Sequence, residues 1–184
     1  MKFSLSNPVQ QNSRAIYRRI VAYFIDMALL LLLVQGFQWG LLVVTGGFPF
    51  EMLAALNNGW LIYGWVLLTV SVPIWLYFVL SERSRWQATL GKWLMGLQVT
   101  SVAGGKASWR QLLGRTVLKL LPWEIFHLAF MLPIPLMNDP NPAFRPGFVV
   151  GYAVLLLYLL VMVQTPRQQS IHDLIMGTVV AKRP

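Results

Sequence analysis

The hydrophobic residues of the chain are concentrated in four long runs that polar segments separate. The runs cover about residues 20–44, 57–80, 120–136 and 147–164. A transmembrane α-helix needs about 20 apolar residues, with a lower limit of about 17. The first two runs exceed this length, and the last two meet the lower limit. The pattern therefore predicts an all-α membrane protein with four transmembrane helices, folded as a single membrane domain over residues 1–184.

The composition agrees with a membrane protein. Hydrophobic residues make up 57% of the chain and charged residues only 11%, whereas a soluble domain carries about 25% charged residues. We expect no cleaved signal peptide, because the first apolar run begins only near Ile20, after a polar leader, and continues to about Val44. The chain has no cysteine, which excludes disulfides, thiolate metal ligands and cysteine nucleophiles.

The basic residues are distributed unequally between the segments that separate the apolar runs. Of the 15 Lys and Arg residues, all except Arg145 lie in the leader, in the loop 81–119 or in the tail 165–184. Cytoplasmic loops carry the excess of Lys and Arg, so we predict that both termini and the 81–119 loop are cytoplasmic. This distribution explains the net charge of +9 without a nucleic-acid partner. It also predicts contact of the cytoplasmic face with anionic lipids of the bilayer.

The loop and the tail have secondary-structure patterns of their own. Ser108 and Gln111 have the spacing of a capping box, and an amphipathic helix of the kind that lies at a membrane interface follows them. Residues 97–101 resemble a strand. A second strand pattern covers 178–181, just after Gly177, which has the position of a helix C-cap residue. We predict amphipathic cytoplasmic helices and a small β element in which the two strands pair.

Two ionisable residues interrupt the third apolar run. Glu124 and His127 are three residues apart and therefore share a helix face. Because the run begins at about residue 120, with Pro122 in its first turn, we expect Glu124 near the cytoplasmic face, at a depth similar to that of Asp26. An ionised carboxylate costs about 2.5–3.5 kcal/mol at the bilayer centre. We therefore expect Asp26 to have a partner on another helix.

The spacing Glu-x-x-His also occurs in di-iron carboxylate bundles, where two helices carry it and two others supply a glutamate each. Here it occurs once, and a site formed by Glu124, His127 and Asp26 would lack ligands. We therefore expect no metal and no other cofactor. The P-loop, GxGxxG, HExxH and GxSxG patterns are also absent from the sequence, so we expect that the protein is not an enzyme.

Three stretches of the chain carry a resemblance to a known family: "RRIVAYFID", "TLGKWLMGLQV" followed by "GGKASWRQLLGR", and "SIHDLIMGTVVAKR". In this order they resemble the RDD family of small bacterial membrane proteins. The resemblance implies a location in the bacterial cytoplasmic (inner) membrane. It places the family's arginine at Arg19, with the adjacent Arg18 as the alternative, and its two aspartates at Asp26 and Asp173. For some members of the family it implies ion-coupled or proton-coupled transport.

Two function hypotheses follow from this distribution of polar residues. The predicted topology gathers a cluster at the cytoplasmic face, made of Arg19, Asp26, Glu124, His127 and Asp173, with Gln164 and His172 as secondary members. If the cluster handles protons or ions, the protein is transport-related, and a homodimer would help to enclose a pathway. If it is an interhelical clamp, the protein is a non-catalytic membrane module or accessory subunit that binds a partner protein or anionic lipid. A water-filled cavity would favour the first hypothesis, and a dry, fully paired cluster the second.

Overall fold

The computed structural model describes residues 8–183, with side chains from Ile16 onward, as a helical membrane domain that carries a small sheet. Four helical segments are long and apolar enough to cross a membrane: Ile16–Thr45, Gly59–Arg83, Trp109–Asn138 and Pro146–Gln164. The prediction of four transmembrane helices is thereby confirmed, and their orientation stays a prediction. Lys2, one of the basic residues of the leader, lies outside the described residues.

The secondary-structure elements follow one another along the chain with short connections. In order they are α1 Pro8–Thr45, α2 Phe50–Leu56, α3 Gly59–Val66, α4 Val72–Arg83, α5 Leu90–Leu94, β1 Leu97–Ser101, α6 Trp109–Met131, α7 Pro146–Gln164, α8 Ile171–Met176 and β2 Thr178–Lys182. The first, third and fourth spans are formed mainly by α1, α6 and α7, and the second by α3 and α4 together.

A π-helical turn, Leu67–Ser71, joins α3 to α4 inside the second span. Pro73 follows this turn and has no N–H to donate to the carbonyl of Thr69, so regular α-helical bonding is interrupted there. Proline is a common cause of such irregularities in helices, and π turns often occur at functional sites. The turn directs Ser71, which is buried, towards the third span.

The third span differs from its prediction in where its helix begins. We expected an interfacial helix from about residue 109 and a separate span from 120 with Pro122 in its first turn, but α6 is continuous and Pro122 lies inside it. An internal proline leaves the carbonyl four residues earlier, that of Leu118, without its helical donor. The hydroxyl of Tyr158 in α7 donates to this carbonyl at 2.6 Å. A side chain of the fourth span thus compensates for the proline in the third.

The sheet and the short helices α5 and α8 lie together on one side of the membrane domain. This side bears residues 84–108 and 165–183, and we call it the basic face. The two strands pair in antiparallel register from Leu97↔Lys182 to Ser101↔Thr178, which confirms the predicted pairing. The capping box of Ser108 is also present. Buried apolar residues join the sheet to the ends of the transmembrane helices, among them Ala22, Val79, Val99 and Leu112.

Arg145 lies at the end of the third span that is farther from the basic face, and its side chain is bound there to the backbone. Its guanidinium donates to four backbone carbonyls at 2.7–3.1 Å, those of Ala129, Phe130, Leu132 and Ile134. It also lies 3.3 Å from the carboxylate of Asp139. The last carbonyls of a helix have no partner within it, so this arginine satisfies groups that would otherwise be left unpaired near the membrane surface.

Candidate functional site

Arg19 extends from the first span into the layer of elements on the basic face. Its guanidinium donates to the carbonyl of Gln168 and, at 2.5 Å, to that of Val180. It also lies 4.0 Å from a carboxylate oxygen of Asp173. The neighbouring Arg18 is exposed. Arg19 is therefore the arginine that meets the second of the two aspartates.

Asp26 is almost completely buried, at 1% exposure, and its carboxylate accepts three hydrogen bonds. The donors are the hydroxyls of Tyr77 and Thr89, at 2.8 and 2.5 Å, and the backbone N–H of Gly91, at 2.8 Å. A Cβ added at Gly91 would lie 2.1 Å from the carbonyl oxygen of Ala22, so only glycine allows α5 to approach α1 this closely. The expectation of a partner on another helix is met by Tyr77 in α4.

Asp173 belongs to a chain of alternating charges that we call the charge network, made of Arg19, Asp173, Arg115, Glu82 and Lys92. Arg115 donates to Asp173 at 2.8 Å and to Glu82 at 2.8 and 2.9 Å, and Lys92 donates to Glu82. No side chain of the network is more than 11% exposed. Charges removed from water need this kind of complete pairing, because a single unpaired one is very costly.

The ionisable groups of the network outside the spans have altered pKa values. Burial lowers the pKa of Lys92, although the carboxylate of Glu82 opposes the change. Burial alone would raise the pKa of Asp173, but the guanidinium of Arg115 and the nearby His172 hold it below its ordinary value. Asp173 therefore stays ionised at physiological pH.

His172 and Gln164, the two secondary residues, have different surroundings. His172 is buried next to the network, with its Nε2 3.7 Å from Asp173. Its Nδ1 has no hydrogen-bond partner among the described residues. Burial lowers the pKa of His172 to about 3, against the attraction of Asp173, so the ring is neutral near pH 7. Gln164 is exposed at the end of α7 and has no place in the charge network.

A second group of polar residues lies deeper in the membrane domain, and we call it the Glu124–His127 site. Glu124 accepts a hydrogen bond from the hydroxyl of Tyr63 at 3.3 Å and lies 3.6 Å from Nδ1 of His127. The same nitrogen is 3.4 Å from the hydroxyl of Ser71 in the π turn. These contacts are longer than those of Asp26, and the side chains of Glu124 and His127 are 12% and 25% exposed.

The expectation that Glu124 lies at the depth of Asp26 is wrong. Along the second span, Asp26 meets Tyr77, whereas Glu124 and His127 meet Tyr63 and Ser71. Ser71 is six residues from Tyr77, or about 9 Å along a helix. The physical reason is the continuity of α6, which begins at Trp109 and carries Glu124 past the middle of the span. The predicted single cluster is therefore divided among three places: the charge network, the Asp26 carboxylate with its three donors, and the Glu124–His127 site.

The separation of Asp26 from Glu124 and His127 also concerns the metal site considered for these three residues. Asp26 makes its contacts with Tyr77, Thr89 and Gly91 and has none with Glu124 or His127. Within residues 8–183, no three His, Cys, Asp or Glu side chains are grouped so that they would hold a metal ion. Glu124, His127 and Asp26 do not form one ligand set.

Sequence reasoning missed the centre of the charge network. In the sequence, Lys92 and Arg115 have the positions of topology determinants, and Glu82 lies outside the apolar run that ends near residue 80. One signal in the sequence points to Glu82. The chain has only six acidic residues, so an acidic residue directly after an apolar run is expected to have a basic partner. Lys119 was missed in the same way, and its ammonium lies 3.1 Å from the ring centroid of Phe78.

The chain was compared with models of known protein families. The family model described as the RDD family matches residues 14–177. The chain belongs to the RDD family. Arg19, Asp26 and Asp173 all lie where the membrane helices of this RDD protein meet the elements of the basic face. A comparison with curated proteins and one with solved structures found no match.

Proposed function

We propose that this RDD-family protein is transport-related and moves protons or ions through a step at the Glu124–His127 site. The observation that carries the proposal is a carboxylate and an imidazole 3.6 Å apart inside the spans, both partly exposed. Ionisable residues in a membrane interior are costly, and proton relays use such pairs. An imidazole ring can accept a proton at one nitrogen and donate one from the other, and the carboxylate beside it is a further proton acceptor.

The π turn supports this role. It brings the hydroxyl of Ser71 to His127, and an interruption of regular helix bonding frees backbone groups at the same level. Near it, Gln38 of α1 donates to the hydroxyl of Thr69. The other amide atom of Gln38 and the indole N–H of Trp65 are buried without hydrogen-bond partners among the described residues. Buried polar groups of this kind are usually satisfied by ordered water, which a proton path also needs.

The orientation and assembly of the protein belong to the same proposal. We infer that the basic face is cytoplasmic, because the leader, the 81–119 loop and the tail together hold all the Lys and Arg residues of the sequence except Arg145. We also infer that the membrane is the bacterial inner membrane. Four short spans do not enclose a pathway by themselves. The side chain of His127 is 25% exposed, so a homodimer would cover it and complete the path. The proposal includes no chemical reaction and no cofactor.

The test is reconstitution of the purified chain in proteoliposomes that hold a pH-sensitive dye. A sodium or potassium gradient is imposed, and the change of internal pH is recorded. Glu124→Gln and His127→Gln are expected to insert and fold like the parent and to lose most of the flux. Glu51→Gln is the matched control, because Glu51 is exposed on α2 and undergoes the same chemical change. Full flux in Glu124→Gln would refute the proposal.

A second candidate is a non-catalytic membrane module that binds a partner protein or anionic lipid. The observation that favours it is that Arg19, Asp26 and Asp173 are all largely buried and all have hydrogen-bond or ion-pair partners, as expected of a clamp. If the parent folds and shows no flux under any cation gradient, this candidate replaces transport.

A further inference from the structure

A groove of about 500 Å³ opens on the basic face, between α1, α4 and the segment that leads into α5. Its lining is mainly apolar and includes Leu29, Leu80, Trp86, Leu90 and Trp93. Two of these residues, Leu29 and Leu80, belong to the transmembrane spans, whereas Trp86 and Trp93 lie beyond them. The groove thus leads from the surface of the spans into the boundary layer where lipid headgroups are found.

Two guanidinium groups are placed at the outer end of this groove. Trp86 and Trp93 contact each other, with ring centroids 6.3 Å apart. Arg85 stacks on Trp86 and Arg183 on Trp93, at 5.2 and 5.5 Å from the ring centroids. Neither arginine has an ion pair among the described residues, unlike Arg115 in the network. The outer end of the groove is therefore positive and uncompensated.

We propose that the groove binds one acyl chain of an anionic phospholipid, with its phosphate between Arg85 and Arg183. The apolar lining suits a hydrocarbon chain, and the volume lies in the range of ordinary ligand pockets. Guanidinium groups bind phosphate oxygens through paired hydrogen bonds, and basic pockets beside transmembrane helices are typical sites for anionic headgroups. The charge of the arginines selects an anionic lipid over a zwitterionic one.

The groove is also connected to the buried carboxylate of Asp26. Tyr77 and Thr89 line it, and both donate hydrogen bonds to Asp26. A chain in the groove would cover these two bonds from the membrane side. Because a ligand that binds only the folded state stabilises it, lipid in the groove should hold α5 more firmly against α1. This inference does not depend on the proposed flux.

The test measures lipid binding to the full chain purified in detergent. Phosphatidylglycerol and phosphatidylcholine with identical acyl chains are titrated separately, and bound lipid is counted by native mass spectrometry. The parent is expected to bind one phosphatidylglycerol about tenfold more tightly than phosphatidylcholine. The double variant R85Q/R183Q should lose this preference. The matched control R83Q/R110Q removes the same charge from the adjoining ends of α4 and α6 and should keep the preference.

A second variant tests the acyl-chain part of the site. Ser81 lines the groove, and Ser81→Phe should fill it and weaken the binding of both lipids. Equal binding of the two lipids by the parent would overturn the proposal. So would a loss in R83Q/R110Q as large as that in R85Q/R183Q, or unchanged binding in Ser81→Phe. The measurement uses no ion gradient, so its failure and a failure of the transport proposal are distinguishable.

Discussion

Replacing Glu82 by glutamine removes the central negative charge of the charge network and leaves the size of the side chain almost unchanged. In the parent, the carboxylate of Glu82 accepts both bonds from the Arg115 guanidinium and the bond from the Lys92 ammonium. The amide of the variant offers one oxygen to these two cations and directs an N–H at one of them. Arg115 then keeps its bond to Asp173, whereas Lys92 stays buried and has lost the carboxylate with which it forms an ion pair.

The magnitude follows from the burial of the pair. Removing one partner of a buried ion pair costs about 3–5 kcal/mol, because the remaining charge is left without compensation. The remaining amide oxygen recovers part of this, so the lower end, about 3 kcal/mol, is expected. For a chain of this length, about 2–4 °C of melting temperature corresponds to each kcal/mol. Glu82→Gln should therefore melt about 6–12 °C below the parent.

The assay is thermal unfolding in detergent at pH 7, followed by tryptophan fluorescence. Glu51→Gln is the matched control, since Glu51 is exposed and outside the network. The informative comparison is the double variant Glu82→Gln/Lys92→Met, which removes the buried ammonium together with its partner. Replacing both members of a buried pair by uncharged groups is often nearly neutral, so the double variant should regain at least half of the loss.

Two results would refute the reasoning. If Glu82→Gln has the same melting temperature as Glu51→Gln and the parent, the charge network contributes little to stability. If the double variant melts at or below the single one, the loss in the single variant does not come from an unpaired Lys92, and the coupling between the two positions is absent.

Two further perturbations test other parts of the fold. Tyr158→Phe leaves the carbonyl of Leu118 without a donor inside the membrane domain and should lower the free energy of unfolding by about 1–3 kcal/mol. Tyr152→Phe, at an exposed position on the same helix, should not change it measurably. Equal melting temperatures of the two variants would contradict the role assigned to Tyr158. For His172, burial lowers the pKa from 6.5 to about 3, so between these pH values the unfolded chain takes up a proton that the folded chain does not. The melting temperature of the parent should fall as pH is lowered from 7 to 4.5, and that of His172→Phe should fall less steeply. Parallel curves of melting temperature against pH for the two proteins would exclude His172 as the cause.

The features predicted correctly from the sequence depend on residues that are close together along the chain. The length of an apolar run decides whether it crosses a bilayer, and the capping box of Ser108 and Gln111 involves one helical turn. The pairing of β1 with β2 is long-range, but each strand carries its own local pattern. These elements could be recognised without knowing how the helices pack.

The depth of Glu124 and the charge network depend on information that the local pattern does not contain. Hydropathy predicts the start of the third span at about residue 120, where polar residues become rare, whereas the helix begins at Trp109. This difference of eleven residues corresponds to about half the thickness of the bilayer core. The bonds of Arg115 to Glu82 and Asp173 join residues 33 and 58 positions apart. Such contacts arise from the packing of three separate elements, which neither composition nor spacing determines.

The position of Asp173 in the chain has a consequence for biosynthesis. Arg19 is made near the start of translation, and its carboxylate partner follows the fourth span, near the end. Because chains emerge from the N-terminus onward, Arg19 has no access to Asp173 until every transmembrane helix has been synthesised. A chain truncated before the tail would expose an unmatched guanidinium where the complete chain has a closed contact. The contact between Arg19 and Asp173 therefore distinguishes a finished molecule from an incomplete one.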